Sequence, residues 1–374
     1  MSLTSQIKEY AFNIGYSKIG IIPAEDFPEY IDDLTKRQDM YAFYINSHYR
    51  PLAVADLKSL MPGAKSIITT VYDYSQKNFP KALTDIIARF YQARCSDAPP
   101  EYINGARPAL MRTFLRKLGC EVGENIVLPE RLVAARAGII NYGRNNFAYA
   151  EGIGSFIHLT SFLVDRELEY DQSTIQEGCI AGCSACMKAC PTQAIYEPHK
   201  INPSRCIAFN TNMTQEGMAG SYIQPEMRDK MGIKVHGCEI CQEVCPRNQA
   251  KIKATLPDDE FLLKVAEDFS LSKMLNMTNE FYDTRVHPLM YNYIKEKKYF
   301  QRNAAIAIGN LGDPVFVPEL AVAMEDQEEL VRGYAAWALG KLGGKSAQQI
   351  LEKSLNRETS AFVKKEIEVA LLEV

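Results

Sequence analysis

The sequence predicts an α+β protein built in three consecutive parts: an N-terminal α/β core, a cysteine-rich middle and an all-helical C-terminal tail. Three observations carry this reading. Short β-branched runs alternate with helix-period stretches through the first part of the chain, eight of the ten cysteines fall between Cys179 and Cys245, and a nine-residue motif recurs beyond residue 300. A chain of 374 residues has room for two or three domains, and the composition shifts place their boundaries at 1–172, 173–255 and 256–374.

In the N-terminal part, Ile7, Tyr10, Ala11 and Ile14 mark one face of an amphipathic helix. Lys18–Ile22 and Ser66–Tyr72 read as strands, the second (SIITTVY) being especially rich in β-branched residues. Phe79–Gln92 and Ala109–Leu118 read as helices, completing a core large enough to enclose a sizeable ligand. The start, MSLTSQIKEYAFNIG, has Gln6, Lys8 and Glu9 where a signal peptide needs an apolar run, and it carries no twin-arginine signal. No stretch is apolar enough to span a bilayer, so the expectation is a soluble cytoplasmic protein with no membrane partner. A net charge of −4 gives no sign of a strongly nucleic-acid-binding surface.

The cysteines fall in two blocks, Cys179-x3-Cys183-x2-Cys186-x3-Cys190-Pro191 and, after a distant Cys206, Cys238-x2-Cys241-x3-Cys245-Pro246. Thiolates are soft anionic donors suited to iron–sulfur chemistry, and short spacings let one loop wrap several corners of a cluster. Zinc ribbons use paired knuckles without this Cys-Pro ending, and disulfides belong to oxidising compartments that nothing here suggests. The pattern resembles that of two-cluster bacterial ferredoxins, in which the last cysteine of each block serves the other block's cluster. That resemblance implies two 4Fe–4S clusters, one held by Cys179, Cys183, Cys186 and Cys245, the other by Cys190, Cys206, Cys238 and Cys241. Cys179 stands one residue farther from its neighbour than the common spacing. A protein so equipped moves single low-potential electrons and needs a low-potential donor.

In the tail, AAIAIGNLG (304–312) aligns with AAWALGKLG (335–343) at an offset of 31 residues, with Pro314 and Pro318 punctuating the connection. The period and the small residues resemble HEAT-type helical repeats, and Val363–Leu372 reads as a third, degenerate helix. Lys295, Lys297, Lys298 and Arg302 cluster beside Tyr291, Tyr293 and Tyr299. Such a run is either a contact for a phosphate backbone or a solvated helix face.

One further segment is distinctive: PERLVAARAGIINYGRNNFAYAEGIGSFIHLTSFLVD (129–165). Together with the two cysteine blocks and the HEAT-like tail, it resembles the cobalamin-dependent epoxyqueuosine reductases, which are related to the reductive dehalogenases. The resemblance implies a cobalamin with its lower base detached, lying against this segment. Gly138, Gly143, Gly152 and Gly154 would permit close backbone approach, and Asn141, Asn145, Asn146, Ser155 and His158 would hydrogen-bond the corrin's amides. It also implies queuosine biosynthesis: loss of the epoxide oxygen from a modified base in a tRNA anticodon loop, with an acid protonating that oxygen.

Two departures bear on the substrate. The family's acid lies in a V-D-T-x-P stretch, where this chain reads GENIVLPER (123–131); Glu124 occupies the corresponding offset, as a longer substitute or as an ordinary loop glutamate. Tyr142, with Arg144 as its basic partner, is the second candidate proton donor, by likeness to the dehalogenases. The family's Y-A-x-G-x-D-Y-H stretch is replaced by FYQARCSDAPPEY (90–102), which lacks the histidine and contains Cys95. Cys95 and Cys120 read as small buried hydrophobes. Two alternatives therefore stand beside the tRNA-directed reductase: the same cofactors acting on a small molecule, as in dehalogenases, and an electron carrier without corrin.

Overall fold

The computed structural model describes residues 1–95, 102, 105–172, 178–212, 222–290, 294 and 296–374. They form two compact units, each assembled from separated stretches: 1–76, 93–203 and 240–256 in the first, 77–92, 204–239 and 257–374 in the second.

The first unit contains strands β1 (Lys18–Pro23), β2 (Ser66–Asp73), β3 (Asn141–Tyr142), β4 (Ala148–Tyr149) and β5 (Ile157–Val164). β2 lies between β1 and β5 in an antiparallel sheet, pairing Ile68 with Ile21 on one side and with Phe162 on the other. The β-branched run read from the sequence is this central strand, covered on both faces, which is why its apolar residues do not alternate with polar ones. Successive side chains point to opposite faces. Ile68 joins Ile7, Ala11, Met111 and Leu115 from helices Leu3–Asn13 and Ala106–Lys117, while Ile67 joins Val133 and Leu128 on the other side. β3 and β4, of two residues each, pair antiparallel across the loop 143–147.

In the second unit the helix expected over Phe79–Gln92 is broken into Lys81–Thr84 and Arg89–Gln92. Tertiary hydrogen bonds claim the intervening backbone: Ala88 N donates to His236 O at 2.8 Å and Val235 N donates to Ile86 O at 2.8 Å. The tail is helical as its repeat predicts, with helices Lys297–Leu311, Glu329–Leu342 and Ala361–Leu371 packed in succession. The aligned motifs place a glycine at the same point of the first two, Gly309 and Gly340. A Cβ on Gly309 would lie 2.5 Å from the Trp337 ring, and one on Gly340 would lie 2.9 Å from the Ala370 backbone. Each motif also ends at a glycine with positive φ, Gly312 and Gly343, which lets the helix stop there.

Two residues of the tail's basic cluster, Arg302 and Lys298, are engaged within the protein. Arg302 is fully buried, its guanidinium donating to Asn210 O at 3.0 Å and to the Asn303 side chain, and Lys298 pairs with Glu296 at 2.7 Å. Tyr291, Tyr293 and Lys295 lie outside the described residues. Among the described residues no helix is long and apolar enough to cross a membrane.

The glycine contact yields a stability prediction. Gly340→Ala gains up to about 1 kcal/mol of helix propensity, but overpacking against a rigid backbone costs roughly 1–3 kcal/mol. The expected result is net destabilisation with a lower denaturation midpoint and an unchanged m-value in a urea titration.

Candidate functional site

The first cysteine block lies on a loop and the short helix Ala185–Ala189, with Cys245 arriving from the turn after Ile240–Glu243. Burial raises the Cys186 thiol above its ordinary range; the Met187 N–H opposes this, and Cys179, Cys245 and Cys183 raise it further. Cys179, Cys183 and Cys245 thus act electrostatically on Cys186. The Arg144 backbone N–H donates to Cys179 Sγ at 3.3 Å, and the Arg144 guanidinium donates to Cys183 O at 2.8 Å. Amide donors of this kind stabilise thiolate charge, so the donor set and its hydrogen bonds fit an iron–sulfur cluster.

Of the second set, Cys190 and Cys241 belong to the first unit, Cys206 and Cys238 to the second. Burial opposes ionisation of Cys190, yet the Thr192 hydroxyl and the N–H groups of Ala194, Ile195 and Thr192 outweigh it and lower the thiol's pKa. Ala194 N lies 3.2 Å from Cys190 Sγ. Cys206 precedes helix Ile207–Asn212, and Cys238 packs against the second unit's hydrophobic core. Among the described residues, no three His, Cys, Asp or Glu side chains are gathered as around a single metal ion.

The glycine- and asparagine-rich segment grips the second cysteine block. Asn248 Oδ1 accepts from Ser155 N at 2.9 Å while its Nδ2 donates to Ser155 Oγ and Gln242 O, each at 2.8 Å. Gln242 Nε2 donates to Ser155 O and Oγ, both at 3.0 Å, and Asn145 Nδ2 reaches Cys241 O at 3.4 Å. Arg247 donates to Asn141 Oδ1 at 2.7 Å. Gly143 and Gly154 are required by the protein itself: a Cβ would meet the Tyr149 ring at 2.3 Å and Asn248 Oδ1 at 2.4 Å. Gly138 has positive φ just beyond helix Glu130–Arg136, and His158 sits half-buried on β5 opposite Tyr72.

A cavity of about 770 Å³ opens in the same unit, ringed by Tyr30, Tyr41, Tyr44 and Tyr142, floored by Leu34 and Leu128, with Arg37, Arg131, Asn146 and His199 at its walls. Its size and aromatic lining suit a planar multi-ring group. Arg37 Nη1 is buried there without an acceptor among the described residues, a donor available to a bound amide or phosphate oxygen. On these grounds the residues fit a corrin.

Of the residues expected from the sequence, Asn146 and Tyr142 line this cavity. Burial raises the Tyr142 phenol, and the cation opposing that rise is Arg131, with Glu29 adding to it. Arg144 instead lies against the Cys179–Cys183 loop. Glu124 is exposed, ion-paired with Arg116 at 2.5 Å, and does not line the cavity. Tyr30, whose hydroxyl donates to Tyr44 at 3.3 Å, and Arg37 were not legible as site residues, because they come from helices Pro28–Lys36 and Gln38–Ile45 with no motif of their own.

A family model for a 4Fe-4S double cluster binding domain matches residues 179–248, and one for HEAT repeats matches residues 289–372. Among characterised proteins, the epoxyqueuosine reductase of Bacillus subtilis (strain 168) is 30% identical, covering 98% of this chain and 94% of its own. The epoxyqueuosine reductase of Staphylococcus aureus is 28% identical over 95% of this chain and 93% of its own. A crystal structure of epoxyqueuosine reductase with an epoxyqueuosine-modified tRNA-Tyr stem loop matches with a TM-score of 0.81 at 29% identity, covering 99% of this chain and 98% of that one. A structure of the Bacillus subtilis enzyme with its catalytic loop swung out of the active site matches with a TM-score of 0.80 at 28% identity, over 100% and 99% of the two chains.

Cys95 provides a check on which thiols are inert. Burial pushes it up to about 12, so at pH 8 the folded protein leaves it unmodified by iodoacetamide, and only denaturant makes it react, as read by peptide mass spectrometry.

Proposed function

The chain is an oxidoreductase of the epoxyqueuosine reductase family, and from that premise we propose that it reduces epoxyqueuosine in a tRNA anticodon loop, using two 4Fe–4S clusters and a cobalamin. The observation that carries this is likeness over essentially the whole chain to a reductase solved with its modified stem loop. A bound cobalamin supplies low-valent cobalt chemistry, fed by single electrons from the clusters.

This chain's own residues do the rest. Arg37 Nη1, Asn146 and the phenols of Tyr30 and Tyr44 would hold the group through polar contacts, and Leu34 and Leu128 would help to exclude water. Tyr142 holds the proton for the leaving oxygen: its raised pKa keeps it protonated at neutral pH, and Arg131 stabilises the phenolate once the proton has gone. The required form is the neutral phenol, so turnover falls only as pH rises past that raised pKa.

A second reading keeps the cofactors and exchanges tRNA for a small reducible molecule. It is favoured by one observation: the residue at the family acid's offset, Glu124, points to solvent and pairs with Arg116.

Anaerobic titration of the iron-loaded protein with cobalamin, followed by EPR of the cobalt(II) state, tests the shared part. Stoichiometric uptake with the lower base detached is expected, and absence of uptake leaves an electron carrier. Incubation with an epoxyqueuosine-modified stem loop is expected to give a product lighter by one oxygen. Uptake of cobalamin without that loss selects the small-molecule reading. Tyr142→Phe is expected to lower kcat by roughly 100-fold or more with cobalamin binding retained, whereas Glu124→Gln is expected to turn over like the parent; the reverse result assigns the proton to Glu124.

A further inference from the structure

Removing an epoxide oxygen takes one more proton than Tyr142 holds. Both C–O bonds break, a C=C bond forms, two electrons enter, and the oxygen leaves as water with two protons. After its first donation Tyr142 is a phenolate, and hydroxide leaves poorly unless it is protonated as it departs. A second donor therefore belongs in the same cavity.

Most of the titratable groups lining that cavity have their protons committed. Guanidinium and ammonium groups are too basic to release a proton readily near neutrality, which sets aside Arg37, Arg131 and Lys200. The carboxylates are held as acceptors: Glu29 by Arg136 at 2.5 Å, Asp33 by Arg37, and Glu130 by the Ser161 hydroxyl and by Ser161 N at 3.2 Å. Tyr41 donates to Ile201 O at 2.8 Å, and Tyr30 donates to Tyr44 at 3.3 Å. Tyr44 and His199 remain, and a phenol is on the order of a thousandfold weaker acid than an imidazolium.

The backbone around His199 is built to present its ring. Strands β6 (Ile195–Glu197) and β7 (Lys200–Ile201) pair Glu197 with Lys200, which leaves Pro198 and His199 as the turn. Proline suits the first corner of such a turn and glycine suits a second corner with positive φ. This chain places a histidine there, with φ 65°. Main chain and side chain are both tied to the loop 143–147 that follows Tyr142: His199 N donates to Arg144 O at 2.8 Å, and Nδ1 lies 3.0 Å from Gly143 O. A carbonyl oxygen only accepts, so Nδ1 carries a proton and the exchangeable position is Nε2. The same loop receives Arg131, whose guanidinium donates to Asn146 O. One loop thus places both His199 and the cation that acts on Tyr142.

We infer that His199 is the second proton donor of the cavity, an inference that rests on the reductase reading proposed above. The Nε2–H bond of the imidazolium breaks as an O–H bond forms on the departing hydroxyl. The second C–O bond opens, the oxygen leaves as water, and the ring stays neutral with its Nδ1 proton on Gly143 O. Both electrons come from the low-potential donor that feeds the clusters.

The test uses the full chain carrying its clusters and cobalamin, with the epoxyqueuosine-modified stem loop as substrate. His199→Asn suits the turn, because asparagine tolerates positive φ and its Nδ2 stands where the imidazole Nδ1 stood, so that Nε2 is what is lost. With iron and cobalamin content equal to the parent's, kcat is expected to fall roughly 100-fold at an unchanged KM. A parent-like kcat overturns the inference. A second measurement needs neither turnover nor a variant. Diethyl pyrocarbonate labels neutral imidazoles, and His199 is expected to be labelled in the iron-loaded protein and shielded once cobalamin and stem loop are bound, as read by peptide mass spectrometry. Equal labelling in the two states overturns the inference, and decides the matter should His199→Asn lose iron or cobalamin. A parent that leaves the stem loop's oxygen in place overturns the tRNA reading and this inference with it; a parent that removes the oxygen while His199→Asn keeps pace overturns this inference alone.

Discussion

The carboxamide of Asn248, closing on both the backbone and the hydroxyl of Ser155, is the contact from which the rest of the first unit's chemistry follows. It joins the segment after Cys245 to the turn that leads into β5, and β5 is hydrogen-bonded along its length to the central strand of the sheet. The segment that follows Cys245 is thereby tied to the sheet. From the same glycine-rich segment, Arg144 donates to Cys179 Sγ and to Cys183 O. A buried polar network of this kind specifies position only when its members are satisfied, and here the Asn248 amide has both ends engaged.

Much of the architecture was legible because it has a period. The offset of 31 residues in the tail returns in space as glycines at equivalent helix contacts. The run SIITTVY announced a strand through its side-chain shapes. The break between Thr84 and Arg89 was not legible, since Ile86 and Ile87 carry no punctuation. Their backbone is claimed by residues 235 and 236, roughly 150 positions away, and no local pattern encodes that.

The site divides in the same way. Thiol spacing is a local signal, legible without the structure, and the 4Fe-4S double cluster binding domain model matches the segment that carries it. The roles of individual polar residues were less accessible. Asn141, Asn145 and Ser155 looked like ligands for a cofactor because they are short, polar and flanked by glycine, but they hydrogen-bond the protein's own 241–248 segment. Arg131, rather than Arg144 two positions on, is the cation that acts on Tyr142, because Arg144 is held against Cys179 and Cys183.

The glycine contacts of the tail also give the helical stack a polarity. Gly309 receives the next helix through Trp337 and Ala338, and Gly340 receives the last one through Ala370. One further step of 31 from position 340 falls on Leu371, where a leucine stands in place of the glycine. A helix arriving at that point would meet a branched side chain and could not come as close.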